Sequence, residues 1–187
     1  WAEKAARKVT RGWSQKAFVL QLDIRNFFPS INRSHLHDLL MPACHEPWVR
    51  HLVNEVVNVD VRDNAHFPGN AALIEQIPAH KSLWNARPGF GLPIGNLTSQ
   101  FGANVYLSAM DQRIVRSGVA RHYGRYVDDI VLMDADIDRL REAYRAIVAE
   151  LSEVDLVLHP QKTRCAPMVD GFDFCGRFIK PRRSYLR

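Results

Sequence analysis

In "RHYGRYVDDIVLMDAD" two adjacent carboxylates, Asp128 and Asp129, stand between β-prone runs. Ionised carboxylates are costly to bury, and side by side they repel. Taken alone, the pair reads most simply as hairpin-turn chemistry, because Asp tolerates turn dihedrals and stays solvated there. Asp23 adds a third carboxylate at the end of "KAFVLQLDI". By itself it reads equally as a strand-end group capping nearby amides. If the two strands are neighbours, however, three carboxylates converge at one sheet end and require a cation. Mg²⁺ suits such a site, being hard, oxygen-seeking and commonly held by one or two carboxylates plus substrate phosphates. Two such ions about 3.5–4 Å apart activate an attacking hydroxyl and stabilise the leaving oxygen of an in-line phosphoryl displacement.

The elements that must position these groups follow from periodicity. Phe18, Leu20, Leu22 and Ile24 alternate along a strand. Pro29 ends it, and Ser30 or Asn32 caps a helix carrying Leu36, Leu39 and Leu40. Pro47 starts a second helix with Trp48, Val49, Leu52, Val53 and Val56 at helical spacing. Residues 60–93, rich in Gly, Pro and Asn, are expected to form a long irregular connection with room for a short hairpin. The helical period then returns, with Leu97, Phe101, Val105 and Ala109 on one stripe. "HYGRYVDDIVLM" predicts a hairpin, and Asp136 caps a helix with Leu140, Tyr144, Ile147 and Leu151. "DLVLHPQKTR" predicts a short strand entering a basic loop, and "GFDFCGRFIKP" a last hairpin. The opening "WAEKAARKVTRG" predicts an amphipathic helix. This order implies an α+β fold with helices packed on one face of an antiparallel sheet. No internal repeat is visible, so a single structural unit is expected.

Composition narrows the class. At 187 residues, 47% hydrophobic and 24% charged, the chain is globular in type and not disordered. Its apolar runs are too short to cross a bilayer, so no membrane partner is expected. The start has neither methionine nor a signal-peptide core, which suggests a beginning within a longer protein. Cys44, Cys165 and Cys175 show no CxxC pairing, which disfavours a disulfide framework or zinc site and suits a reducing, cytoplasmic setting. A net charge of +5 is compatible with a polyanionic partner. His35 and His37 are two apart on a predicted helix and face different ways, and the other histidines lack partners at ligand spacing.

The blocks "FVLQLDIRNFFPSIN", "GLPIGNLTSQFGANVYLSAMD", "RHYGRYVDDIVLM", "LVLHPQKTR" and "GFDFCGRFIKP" resemble, in order, the successive motifs of the reverse transcriptase palm. The resemblance runs from about residue 17 to 187. Within that superfamily, "IPAHKSLWNARPGFGLPIGNLTSQ" is most similar to diversity-generating retroelement enzymes, with retron and group II intron enzymes next. The resemblance implies a palm with a ferredoxin-like antiparallel sheet and RNA-directed DNA synthesis. It makes Asp23 and Asp128 ligands of two Mg²⁺ ions (Mn²⁺ substituting), Asp129 a supporting ligand, and the Ile24 carbonyl a backbone ligand. Lys162 matches a lysine proposed to protonate the pyrophosphate leaving group; a solvated surface lysine is the equal alternative. Phe28 aligns with the gate that excludes a 2′-hydroxyl, against its other reading as a core aromatic like Phe27.

Pro93, Ile94 and Gly95 fall in the nucleotide-binding stretch. Most relatives carry glutamine at the Ile94 position. Isoleucine makes no hydrogen bond, so discrimination based on polar contacts weakens and error-prone synthesis is implied. Gly91 and Gly95 bracket Pro93 and allow close backbone approach. Arg177, Lys180 and Arg182 (with Arg183) match the primer-grip hairpin, and Arg121, Arg125 and Arg164 are further candidates for phosphate contact. Implied partners are an RNA template, a DNA or RNA primer, dNTP and a basic accessory protein. Residues 1–187 are then a palm with parts of the fingers, complete fingers and thumb lying outside them, and the isolated segment is expected to polymerise poorly. Two other readings stand beside the diversity-generating one: a retron or defence-associated enzyme, and a palm-derived nucleic-acid-binding module without catalysis.

Overall fold

The computed structural model describes residues 1–11, 16–63, 65, 76–78 and 82–186. In chain order its first elements are α1 (Ala2–Val9), β1 (Phe18–Asp23), α2 (Phe27–Ser30), α3 (Arg33–Leu40), α4 (Pro47–Asn58) and α5 (Leu97–Ser117). They are followed by β2 (His122–Tyr126), β3 (Asp129–Asp134), α6 (Ile137–Ser152), β4 (Arg164–Pro167), β5 (Phe172–Phe174), β6 (Arg177–Ile179) and β7 (Ser184–Leu186). Where one structural unit was expected, the chain divides into two compact units. One joins Trp1–Arg25 to Ala109–Arg187, and the other is Asn26–Ser108.

The first unit holds the sheet, in the order β2-β3-β1-β4 and antiparallel at every pairing. With its helical crossovers this is the ferredoxin-like arrangement. Strand alternation gives the sheet two distinct faces. Leu20 shares a cavity wall with Leu140 and Tyr144 of α6. The part of α5 in this unit lies on the same face, tied to α6 by Arg113 Nε donating to Glu150 at 2.6 Å. Val19, Val131 and Met133 point the other way, into a core with Ala5, Ala6 and Val9 of α1 and with Phe172 and Ile179 of the C-terminal hairpin. Within this unit α6 and the end of α5 thus share one face, and α1 with the hairpin covers the opposite one.

Three sequence expectations need correction. The strand placed in "DLVLH" is only an isolated bridge between Leu158 and Ile24. Pro160 has no N–H to give a ladder and opens a 3₁₀ turn, so the fourth strand forms later, at Arg164–Pro167. The last hairpin gains a third strand, β7. On α5 the stripe is rotated. Leu97 and Phe101 are 82% and 63% exposed, whereas Ser99, Ala103, Tyr106, Leu107, Met110 and Ile114 are buried. The cause is small residues, which an apolar pattern overlooks: a Cβ on Gly102 would come within 2.9 Å of the Leu36 side chain.

In the second unit Asn32 caps α3 by accepting from the His35 amide at 3.2 Å, and Pro47 opens α4. Trp48, Leu52 and Val56 remain exposed on α4. Leu52 and Val56 help line an apolar cavity of about 460 Å³ with Leu36, Phe90, Leu92 and Pro93. The start of the 60–93 connection is pinned by ion pairs. Asp60 meets Arg33 Nη2 at 2.9 Å and Arg62 Nε at 2.7 Å, and Arg62 Nη1 donates to the Ala86 carbonyl at 2.7 Å. The Arg62 hydrogen bond first, then its amide and the Arg33 charge, hold the Asp60 carboxyl well below the usual carboxylate range. The short hairpin expected in this connection lies outside the described residues.

Candidate active site

β1 and β3 pair so that Asp23 stands directly opposite Asp129. Like charges in that position destabilise a sheet, so they need a compensating cation. Asp128 occupies the turn between β2 and β3, and its carbonyl accepts from the Ile24 amide at 3.2 Å. The alternation that sends Val19, Val131 and Met133 toward α1 puts Asp23 and Asp129 on that same face. Nearby, Gln21 Nε2 donates to the Asp173 carbonyl at 2.8 Å, fastening the hairpin to β1.

Charge around the site is unbalanced. Lys162, at the end of the 3₁₀ turn Pro160–Lys162, donates from Nζ to Asp23 Oδ2 at 2.6 Å. That turn is held by the His159 amide, which donates to the Asp23 carbonyl at 2.7 Å. Hydrogen bonding to Asp23 raises the Lys162 pKa, with the charges of Asp23, Asp128 and Asp129 adding to it. Burial raises Asp128, and the charge of Asp23 pushes it further. Burial likewise raises Asp129, helped by Asp128 and then Asp23. Among the described residues one ammonium therefore serves three carboxylates.

Among the described residues no group of three or more His, Cys, Asp or Glu side chains is gathered closely enough to form a metal cluster. The donor chemistry nevertheless fits a hard divalent cation. All three donors are carboxylate oxygens, one already carries a cation, and the other two are pushed up for want of one. Expected Asp23, Ile24, Asp128, Asp129 and Lys162 thus come together in the first unit.

The turn carrying Asp128 is strained and clamped. Val127 has φ +57°, an outlier for a β-branched residue. Arg125 Nη1 donates to the Val127 carbonyl at 2.7 Å. The same guanidinium grips Asp111 of α5 by two bonds, Nε to Oδ1 at 2.9 Å and Nη2 to Oδ2 at 2.6 Å, while the Tyr123 hydroxyl meets Oδ1 at 2.5 Å. Burial and the Asp111 charge drive the Tyr123 hydroxyl far above its ordinary pKa. Arg125 was expected to meet phosphates. Its buried side chain is instead committed to Asp111 and the turn. Sequence reasoning missed Asp111; the available signal was period-two alternation, which sends Tyr123 and Arg125 to the face that carries α5.

The remaining expected residues are distributed as follows. Phe28, Pro93, Ile94 and Gly95 belong to the second unit. Phe28 is half-buried beside the fully buried Phe27, ring centroids 5.6 Å apart. Ile94 is 72% exposed, so it is not a core residue. Gly95 has φ +102° with open space where a Cβ would be. Gly91 is needed for packing, since a Cβ there would collide with the Leu83 side chain. In the first unit Arg177, Arg121 and Arg164 are exposed, Lys180 sits 5.8 Å over the Phe178 ring, and Arg182 turns toward α1.

Comparison with known proteins agrees with this architecture. Apo telomerase from Candida tropicalis, truncated from its C-terminal domain, is similar with a TM-score of 0.59 at 14% identity over 100% of this chain and 40% of that one. Another apo telomerase structure from Candida tropicalis gives 0.62 at 12% identity, over 99% of this chain and 35% of that one. Telomerase from Candida albicans in complex with a TWJ fragment of telomeric RNA gives 0.58 at 13%, over 100% and 33%. At such identities the likeness is one of fold, and the chain spans only 33–40% of those chains' length. No curated protein sequence matches it. The family profile described as "Reverse transcriptase (RNA-dependent DNA polymerase)" matches residues 4–178, nearly the whole chain. On that match, over a ferredoxin-like sheet with three carboxylates at one end, the chain belongs to the reverse transcriptase family.

Proposed function

We propose that this chain is the palm of an RNA-directed DNA polymerase, which transfers a nucleotidyl group from dNTP to a primer 3′-hydroxyl on an RNA template. The observation carrying this reading is the opposition of Asp23 and Asp129 across β1 and β3, with Asp128 in the adjoining turn and Lys162 on Asp23. A divalent cation, Mg²⁺ with Mn²⁺ as substitute, would be held by Asp23, Asp128, Asp129 and the Ile24 carbonyl. When bound it supplies Lewis-acid charge to the reacting phosphate and lowers the pKa of the attacking hydroxyl. Lys162 Nζ, kept protonated by its acidic neighbours, is the proton source for the pyrophosphate leaving group. Phe28 serves as the sugar gate, and Pro93, Ile94 and Gly95 bind the nucleotide.

Within the family the finer reading is an error-prone, cytoplasmic enzyme of a diversity-generating retroelement, served by a basic accessory protein. Ile94 supports it: its side chain is exposed and cannot hydrogen-bond a nucleotide. A retron or defence-associated enzyme is the alternative, and the clustered charge weighs against a non-catalytic binding module.

The test is metal-dependent primer extension on RNA by the full-length protein, with Asp128→Ala as control and sequencing of the products. Synthesis lost in the variant, with errors concentrated at template adenines, is expected. Accurate synthesis would remove the diversity-generating reading. No synthesis from folded protein supplied with its RNA and accessory partner would remove the polymerase.

A further inference from the structure

α1 carries two stripes at one spacing. Ala2, Ala5, Ala6 and Val9 are buried. Lys4, Arg7 and Lys8 repeat the spacing on the outer side, and Arg11, two residues past the helix end, extends it at i+7. Arg182, in the turn between β6 and β7, joins them, and these five side chains line one cleft of about 480 Å³. Among the described residues no carboxylate pairs with Lys4, Arg7, Lys8 or Arg182. Every side chain lining the cleft is cationic, and charge complementarity favours a polyanionic backbone as its occupant. Its positive field reaches the neighbouring strand. The His122 imidazole, with Nε2 buried and unpartnered among the described residues, is held below its ordinary pKa by burial and then by the charges of Arg121 and Lys8.

The stripe has a direction. At its start, the Trp1 ring lies where a Cβ on Gly124 would come within 2.5 Å, and it packs edge-on to Phe174 with centroids 6.4 Å apart. Gly124 is at the middle of β2, two residues nearer the carboxylate turn than His122, on which Lys8 acts at the far end of that strand. From Lys4 to Arg11 the stripe therefore leads away from the carboxylates, on the sheet face that carries Asp23 and Asp129. Seven residues at 1.5 Å each make about 10 Å, the axial rise of roughly three phosphates of one strand in a stacked helix at about 3.4 Å per charge.

We propose that the α1 stripe with Arg182 is a track for the phosphate backbone of a nucleic-acid strand, outside the carboxylate site and indifferent to base sequence. Only its direction rests on the polymerase reading; phosphate binding needs no catalysis. Backbone contacts fix register without reading bases and release counterions on binding.

The test is binding of a labelled 20-nucleotide single-stranded RNA to the full chain in chelator, titrated with salt. The variant Lys4→Gln/Arg7→Gln/Lys8→Gln/Arg182→Gln is expected to bind roughly 100-fold more weakly at 0.1 M salt, with a log–log salt slope shallower by about 2, as three lost phosphate contacts require. The charge-preserving Lys4→Arg/Lys8→Arg variant and a control neutralising Arg116 and Arg145 on α5 and α6 are expected to bind as the parent does. A quadruple variant with native circular dichroism and unchanged slope overturns the track. So does an equal loss from the Arg116/Arg145 control, or polyglutamate competing as well as RNA of equal charge. Primer extension by the same preparations separates the two proposals. No synthesis by the folded parent removes the polymerase reading and leaves the track to the salt slope alone.

Discussion

Asp111 and the Asp23, Asp128 and Asp129 group serve opposite faces of one sheet on different terms. Asp111 meets both arms of Arg125 and the Tyr123 hydroxyl. The other three share one lysine, and two of them are pushed toward protonation. A carboxylate that serves the fold is matched to donors already in place. A group left short of positive charge at a sheet end is one that a divalent cation would complete. The difference separates a supporting network from a reacting one without appeal to family.

The comparison can be broken most sharply at Asp128. Asp128→Ala should abolish primer extension, a loss of several kcal/mol of charge stabilisation or about 10³-fold in rate. Its urea midpoint should stay at or above the parental value because a repulsion is removed. A large fall in that midpoint would put Asp128 with the structural aspartates. Lys162→Ala should lower single-turnover rate by about 10²-fold, the usual scale for a general acid, with primer affinity retained.

Arg125→Met, on the opposite face, should act on folding first. It leaves Asp111 part-buried and unpaired, at a cost of about 3 kcal/mol in urea denaturation. The double change Arg125→Met/Asp111→Leu should recover part of that loss. If the single variant unfolds at the parental midpoint, the clamp is ornamental.

Asp60 extends the comparison to the second unit. Its folded pKa is depressed, so its contribution is complete above the unfolded carboxylate range and disappears as pH falls through the folded value. Asp60→Asn should therefore lower stability at neutral pH by about 1–3 kcal/mol, and the gap to the parent should close on acidification. A gap that stays constant with pH would refute the assignment. The smallest effect belongs to Val127→Gly: relief of about 1–2 kcal/mol of left-handed strain, offset by glycine's chain entropy of about 0.5–1 kcal/mol, leaves a net gain of at most about 1.5 kcal/mol in thermal unfolding.

What was legible in the sequence depended on whether a group's partner lay nearby along the chain. Strand alternation around Leu20 and Leu22, the cap at Asn32 and the hairpin flanking Asp128 are local signals, and they held. The meeting of Asp23 with Asp129 needed only the assumption that two strands are neighbours. The α5 stripe failed because Ser99, Gly102 and Ala103 pack by being small, which hydrophobic periodicity does not register. Asp111 was illegible because Arg125 looks like any surface arginine until its strand register sends it to the α5 face. The ion pairs of Asp60 with Arg33 and Arg62 were likewise invisible, because Asp60 and Arg62 lie in what had the composition of a plain loop and Arg33 is far off along the chain.

Arg125 holds residue 127 by its backbone carbonyl and asks nothing of its side chain. What must be inherited at that position is therefore a shape of the chain, not a chemical group. A library randomising residue 127 should return many functional identities, while positions 125 and 128 on either side return almost none. The middle of the motif is free to drift because the two residues that carry its meaning flank it.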